Sequence, residues 1–293
     1  MPMSFHPEYP GRRRRFRTIP VRMLVPNFIT LLAICAGLTA IRLSTEGRME
    51  LAVAAIVFAA VLDGLDGRVA RMIKGQSKFG AELDSLADFV NFGVAPGLIL
   101  YFWQLHELNN VGWIAAMILA ISAGLRLARF NATMDDPNKP AFAANYFTGV
   151  PAPAGAITVL LPIYLAFLGV PTPPAALTTA YTLLIAVLMV SRLPVFSGKT
   201  VRLRVPPELV LPVFVAVVFF IALLIGYPWH MLSAGTVLYL LSLPAGWKSY
   251  RDHQRRAEAT AVPQADGAAA DLAPPSARSA HEDEPDDRPA RLN

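Results

Sequence analysis

Little of this sequence carries charge, and almost none of it can form a disulfide. Its 293 residues include one cysteine, Cys35, set in an apolar run. A disulfide framework within the chain is excluded, and the thiol reads as a small buried hydrophobe. Charged residues make up 16% of the chain against 54% hydrophobic, which excludes an ordinary soluble domain and points to a membrane protein. A cleaved signal peptide is not expected. The first apolar run is too long for one, and no small-residue cleavage site follows it. Convincing internal repeats are absent, and residues 257–293 contain no Phe, Tyr or Trp.

What the chain does have is a series of apolar stretches. Eight spans are predicted, at about 24–43, 49–68, 81–103, 109–128, 151–169, 176–192, 208–226 and 229–247. Each is near the ~20 residues a helix needs to cross the hydrocarbon. The expected fold is all-α, a polytopic membrane helix bundle. Lys and Arg set its orientation. The N-terminal segment holds Arg12, Arg13, Arg14, Arg15, Arg17 and Arg22. The second connection holds Arg68, Arg71, Lys74 and Lys78, and the fourth Arg126, Arg129 and Lys139. The sixth holds Arg192, Lys199, Arg202 and Arg204, and the last span is followed by Lys248, Arg251, Arg255 and Arg256. The opposite side has only Arg42 and Arg48, with Glu46, Glu50 and Glu107 as its few acids. The positive-inside rule then puts both termini and the long loops in the cytosol. The expected division is a basic cytosolic segment over 1–22, a transmembrane domain over 23–250 and a disordered cytosolic tail over 251–293. The Arg cluster next to a span reads as contact with anionic lipid headgroups rather than with nucleic acid.

Against this background stands one acidic constellation, Asp63, Asp66, Asp84 and Asp88. Asp63 and Asp66 lie three apart near the cytosolic end of the second span. Asp84 and Asp88 lie four apart near the start of the third. Both spacings put a pair on one helix face. Ionised carboxylates are costly in or beside a bilayer, and four together repel one another unless a cation neutralises them. Oxygen ligands suit a hard divalent ion, Mg²⁺ or Mn²⁺, and such a site can bind a pyrophosphate and assist displacement at phosphorus. Gly67 and Gly80 flank the connection and permit close approach of a ligand or a neighbouring helix. Glu82 lies off the Asp84/Asp88 face and reads as structural. His106 and His230 fall near the opposite membrane face and read as interfacial.

The pattern D-x-x-D-G-x-x-A-R-x8-G-x3-D-x3-D, formed by Asp63, Asp66, Gly67, Ala70, Arg71, Gly80, Asp84 and Asp88, resembles the signature of the CDP-alcohol phosphatidyltransferases. The resemblance implies Asp63, Asp66 and Asp84 as metal ligands, and Asp88 as both ligand and general base. It implies a pocket for the cytidine diphosphate group shaped by Gly67, Ala70 and Arg71 with Gly80. Pro26-Asn27 with Thr30 also looks like the family and adds Asn27 and Thr30 to that pocket; Asn27 could equally serve as a helix N-cap.

Outside the signature the chain looks most like the membrane-embedded phosphatidylserine synthases. The segments that carry this likeness are 83–96, 125–131, 146–153 and 191–199, with Asn91 where that group more often has Ser and Gly198 where an aromatic is common. The implied reaction transfers a phosphatidyl group from CDP-diacylglycerol to the hydroxyl of L-serine, by direct attack, releasing CMP. Physical reading adds Arg126, Arg129 and Asn131, gathered at the cytosolic end of the fourth span. Arginine suits bidentate contact with carboxylate or phosphate, although these residues could instead snorkel to headgroups. Asn91, three residues after Asp88, is expected on the same face, within reach of the acceptor.

The nearest rival keeps the chemistry and changes the acceptor to choline, glycerol 3-phosphate or an inositol phosphate. A rival of another class is a divalent-cation transporter, but its polar residues should continue through the membrane midplane, and here they stop at the cytosolic end. The expected setting is a bacterial cytoplasmic membrane with the site facing the cytosol. A homodimer is left open.

Overall fold

The computed structural model describes residues 24–73, 77–133, 146–196, 206 and 209–270. The basic segment 1–22, Lys74, Lys139, Gly198, Lys199, Arg202, Arg204 and the tail beyond 270 lie outside the described residues.

Helix α1 (Leu24–Thr45) turns through Gly47, at φ 75°, into α2 (Met49–Met72), and the two pack along each other. Helix α3 (Lys78–Phe89), a π-helical turn over Val90–Val94 and α4 (Ala95–Trp103) form one 26-residue rod, Lys78–Trp103. A short 3-10 turn leads to α5 (Asn110–Ala132). Strand β1 (Tyr146–Thr148) precedes α6 (Ala152–Val159) and α7 (Leu161–Phe167), and α8 (Ala175–Val190) precedes strand β2 (Pro194–Phe196). Helices α9 (Val210–Gly226) and α10 (Pro228–Ala270) follow. The described residues up to Leu243 belong to one compact unit. From Pro244 onward the chain forms a second unit, in which the Arg251 guanidinium lies 4.0 Å over the Trp247 ring.

All eight apolar segments are thus helical, but they are unequal. Among the described residues, three helices are long and apolar enough to cross a bilayer: α1, the Lys78–Trp103 rod and α5. A fourth counts if α9 and α10, bent by 113° at their junction, form one broken span. Helix α8 is only 16 residues long, and the path from α6 to α7 breaks at Leu160. Pro162 lacks the N–H that would bond the Thr158 carbonyl, and the Tyr181 hydroxyl donates to that carbonyl instead, at 2.7 Å.

The all-α class holds, and among the described residues one short ribbon joins the helices, Tyr146–Thr148 pairing antiparallel with Pro194–Phe196. Helix α10 runs on to Ala270. One expectation needs correction. Cys35 is exposed on α1 rather than buried, on a surface shared with Leu31, Leu32 and Leu38 that suits lipid.

The rod packs on α5 through small residues. A Cβ added at Gly93 would lie 2.9 Å from Ala123 Cβ, and one at Gly97 would lie 2.9 Å from the Ala116 carbonyl oxygen. Close backbone approach of this kind is how helices associate where water offers no hydrophobic drive. Gly97→Ala should therefore lower the unfolding midpoint in detergent, by about 1–3 kcal/mol of overpacking. Gly235→Ala is the contrast. Nothing lies within 4 Å of its added Cβ, so it should be neutral or gain up to ~1 kcal/mol from helix propensity.

Candidate active site

The acidic pairs meet because α2 ends, and the rod begins, at the same end of the bundle. Ser77 caps α3 by accepting a hydrogen bond from the Gly80 N–H at 3.0 Å, which fixes where the rod starts. Asp63, Asp66 and Asp84 then each present a carboxylate oxygen, and the three oxygens lie within 4.8 Å of one another. Asp88, one turn further along the rod, brings its carboxyl group against that of Asp63. Asp66 is buried at 3% exposure, and its Oδ2 accepts a 2.7 Å hydrogen bond from the Thr30 hydroxyl of α1.

Among the described residues no Lys or Arg forms an ion pair with any of the four carboxylates; the ion pairs present join Arg42 and Arg48 to Glu46. Among the described residues, Arg126 of α5 lies within electrostatic reach of Asp88. One arginine cannot neutralise four carboxylates in a poorly solvated setting. An all-oxygen donor set with unbalanced negative charge fits a hard divalent cation.

The other sequence-predicted residues divide. Gly80 lets Asn27 approach: a Cβ there would lie 2.8 Å from Asn27 Oδ1. Asn27 stands inside α1, which already runs from Leu24, so it is not an N-cap. Arg71 is exposed and lies over Gly67, its Nη1 3.9 Å from where a Cβ would stand, with half-buried Ala70 beside it. Arg126 is 8% exposed, so it does not snorkel, and its guanidinium sits 5.9 Å from the Phe130 ring centroid. Arg129 is turned to structure: its Nη1 donates to the Val190 carbonyl at 2.7 Å and approaches that of Ser191 at 3.4 Å, holding α5 to the end of α8. Asn131 donates to Ser85 Oγ at 2.9 Å on the exposed side of α3. Asn91 falls in the π-helical turn. Its amide is 1% exposed, without a hydrogen-bond partner, and pressed on Gly37 of α1. Glu82 is exposed, and His106 sits at the far end of the rod, its Nδ1 3.0 Å from the Tyr101 carbonyl oxygen.

Sequence reasoning missed Tyr239 of α10. Its hydroxyl is buried without a partner, and Arg126 is within electrostatic reach of it. The available signal was a polar line in an apolar helix, Ser233, Thr236 and Tyr239, at helical spacing.

The Thr30 hydroxyl, 2.7 Å from Asp66 Oδ2 and 3.1 Å from the Pro26 carbonyl oxygen, can be tested by substitution. Thr30→Val should cost about 1.5–3 kcal/mol of stability, as expected for a buried hydrogen bond to a charged group. Thr30→Ser should keep most of it. Equal midpoints for the two variants in a detergent unfolding series would contradict the role assigned to the hydroxyl.

Comparison with known proteins gives the constellation its context. The CDP-alcohol phosphatidyltransferase family profile matches residues 23–240. The chain is 41% identical over 237 residues to the CDP-diacylglycerol–serine O-phosphatidyltransferase of Mycobacterium leprae (strain TN), covering 80% of this chain and 77% of the relative. It is 38% identical over 243 residues to the protein of the same name from Mycobacterium bovis (strain ATCC BAA-935 / AF2122/97), covering 82% and 84%. A protein of that name from Helicobacter pylori (strain J99 / ATCC 700824) is 36% identical over 222 residues, covering 74% and 88%. The matched stretch holds the whole aspartate constellation and the helices that assemble it, and the chain belongs to the CDP-alcohol phosphatidyltransferase family.

Proposed function

We propose that this protein transfers the phosphatidyl group of CDP-diacylglycerol to the hydroxyl of L-serine, giving phosphatidylserine and CMP. The observation that carries the reading is the convergence of four carboxylates from α2 and α3 at one end of the bundle, with the buried Arg126 facing Asp88. The name shared by relatives at 36–41% identity supports serine as the acceptor.

Asp63, Asp66 and Asp84, with Asp88, would hold Mg²⁺ or Mn²⁺, which when bound supplies the positive charge that lets a pyrophosphate approach and a nucleotide phosphate depart. Thr30 keeps Asp66 oriented for this task. Asn27 and Gly80 lie side by side at the mouth, with Gly67, Ala70 and Arg71 in the last turns of α2, and these form the surface for the cytidine diphosphate group. Asp88 accepts the proton of the serine hydroxyl as its oxygen attacks the phosphatidyl phosphorus. The bond from that phosphorus to the bridging oxygen breaks, and CMP leaves. Arg126 receives the serine carboxylate, Asn91 lines the wall towards α1, and Arg129 and Asn131 hold α5 against α8 and α3.

The protein is read as an integral membrane protein with eight membrane-embedded helical segments. The site opens to the cytosol, and the acyl chains of the donor stay in the bilayer of a bacterial cytoplasmic membrane. The Lys and Arg asymmetry of the connections supports this orientation. The basic 1–22 and the tail flank a domain over 23–250.

The test is a product assay with purified protein and CDP-diacylglycerol, offering serine, choline, glycerol 3-phosphate, inositol and inositol phosphate separately. Serine should give the dominant lipid product, with one CMP released per phosphatidylserine formed. Another dominant product would refute the acceptor. Absence of CMP release with every alcohol would refute the transferase reading and favour cation transport.

A further inference from the structure

Besides the Asn91 amide, three buried polar atoms around the acceptor position have no hydrogen-bond partner among the described residues: Asp88 Oδ1, Arg126 Nε and Tyr239 Oη. Unpaired buried polar groups are costly and rare, so several in one place call for a ligand. The three differ in chemistry. Asp88 accepts, the Arg126 Nε–H donates from a cation, and the Tyr239 hydroxyl donates from a rigid ring. Arg126 is in electrostatic reach of both other groups, so it links them. Tyr239 comes from α10, outside the signature, and packs against the hydrophobic core beside Leu240 and Leu243. Ser233 and Thr236 precede it at helical spacing, and their hydroxyls are also buried without partners. The body of Tyr239 is therefore fixed by packing, while its polar end is left for something other than protein.

We propose that Tyr239 is a specificity-determining residue that holds, together with Arg126, the anionic group of the acceptor alcohol. The inference rests on the transferase reading above and deepens it. A small alcohol with its hydroxyl at Asp88 and a carboxylate directed at Arg126 and Tyr239 satisfies all three atoms. An alcohol of similar size without the anion leaves two buried donors unpaired, and a site built on buried polar groups rejects such analogues strongly. Discrimination between serine and ethanolamine thereby falls to two side chains, one of them contributed by the last helix of the bundle.

The test uses the full chain in nanodiscs, with CDP-diacylglycerol as donor and serine or ethanolamine as acceptor. Tyr239→Phe removes one oxygen. The KM for serine should rise about tenfold, the loss expected for a hydrogen bond to a charged group. The KM for CDP-diacylglycerol should stay that of the parent, and the preference for serine over ethanolamine should shrink by a similar factor. The unfolding midpoint without serine should be unchanged or higher, because the variant removes a buried hydroxyl that bonds to no protein group. Arg126→Lys, which keeps the charge and loses Nε–H, should show the same serine-selective rise. An unchanged serine KM in Tyr239→Phe overturns the proposal. So does a lowered midpoint, a failure to fold, or a parallel rise in both KM values, since each marks a structural hydroxyl. If the parent prefers another alcohol, the serine reading falls separately. Tyr239 is then judged on that alcohol: a selective KM rise for an anionic acceptor supports the proposal, and choline as the preferred acceptor overturns it.

Discussion

Four carboxylates gathered at the edge of a low-dielectric bundle repel one another, and most of the structure around them serves to keep them together. The repulsion is strong because water, which would screen it, is partly excluded. Helix α1 is required on this account: its Thr30 hydroxyl is the donor that holds Asp66 in place. The Ser77 cap sets the start of the rod, and through it the height of Asp84 and Asp88 relative to α2. The glycines of the rod bring α5 close, and α5 delivers Arg126, the cation in reach of Asp88. Packing in the apolar part of the molecule thus pre-positions charge at its polar end. A divalent cation binding there gains from an arrangement whose assembly cost is met by helix packing.

The acidic site was legible in the sequence because its geometry is local. Residues three and four apart on a helix share a face whatever the rest of the fold does, so Asp63 with Asp66 and Asp84 with Asp88 could be paired from spacing alone. The connection between them is short, which leaves α2 and α3 little freedom to separate. The eight apolar segments were legible for the same reason, since apolar length is a local property. Their inequality was not. The break at Leu160 and the sharp bend between α9 and α10 depend on how each helix meets its neighbours.

What stayed hidden depends on contacts distant in sequence or on departures from the α-helical period. The π-helical turn over Val90–Val94 changes the phase of the rod where Asn91 stands, so a face assigned at 3.6 residues per turn no longer applies. Asn91 meets Gly37 of α1, a contact no spacing rule indicates. Arg126 and Arg129 lie three apart on α5 and look alike in the sequence, yet one is in reach of Asp88 and the other, a turn nearer the helix end, ties α5 to the end of α8. Tyr239 is the extreme case. Its relevance comes from the return of α10 to the bundle, and only the faint polar line Ser233–Thr236–Tyr239 marks it beforehand. The ribbon joining Tyr146–Thr148 to Pro194–Phe196 is likewise a long-range pairing, and each strand alone is too short to be read.

The central claim is that the clustered aspartates require a divalent cation, and direct binding tests it best. Titration of chelator-treated protein with Mn²⁺, followed by the paramagnetic signal of the free ion, should show saturable binding in the parent. Asp63→Asn or Asp84→Asn should weaken it by at least about tenfold, as loss of one charged ligand predicts. Binding in those variants as tight as in the parent, or full phosphatidyl transfer by the parent after exhaustive chelation, would contradict the account.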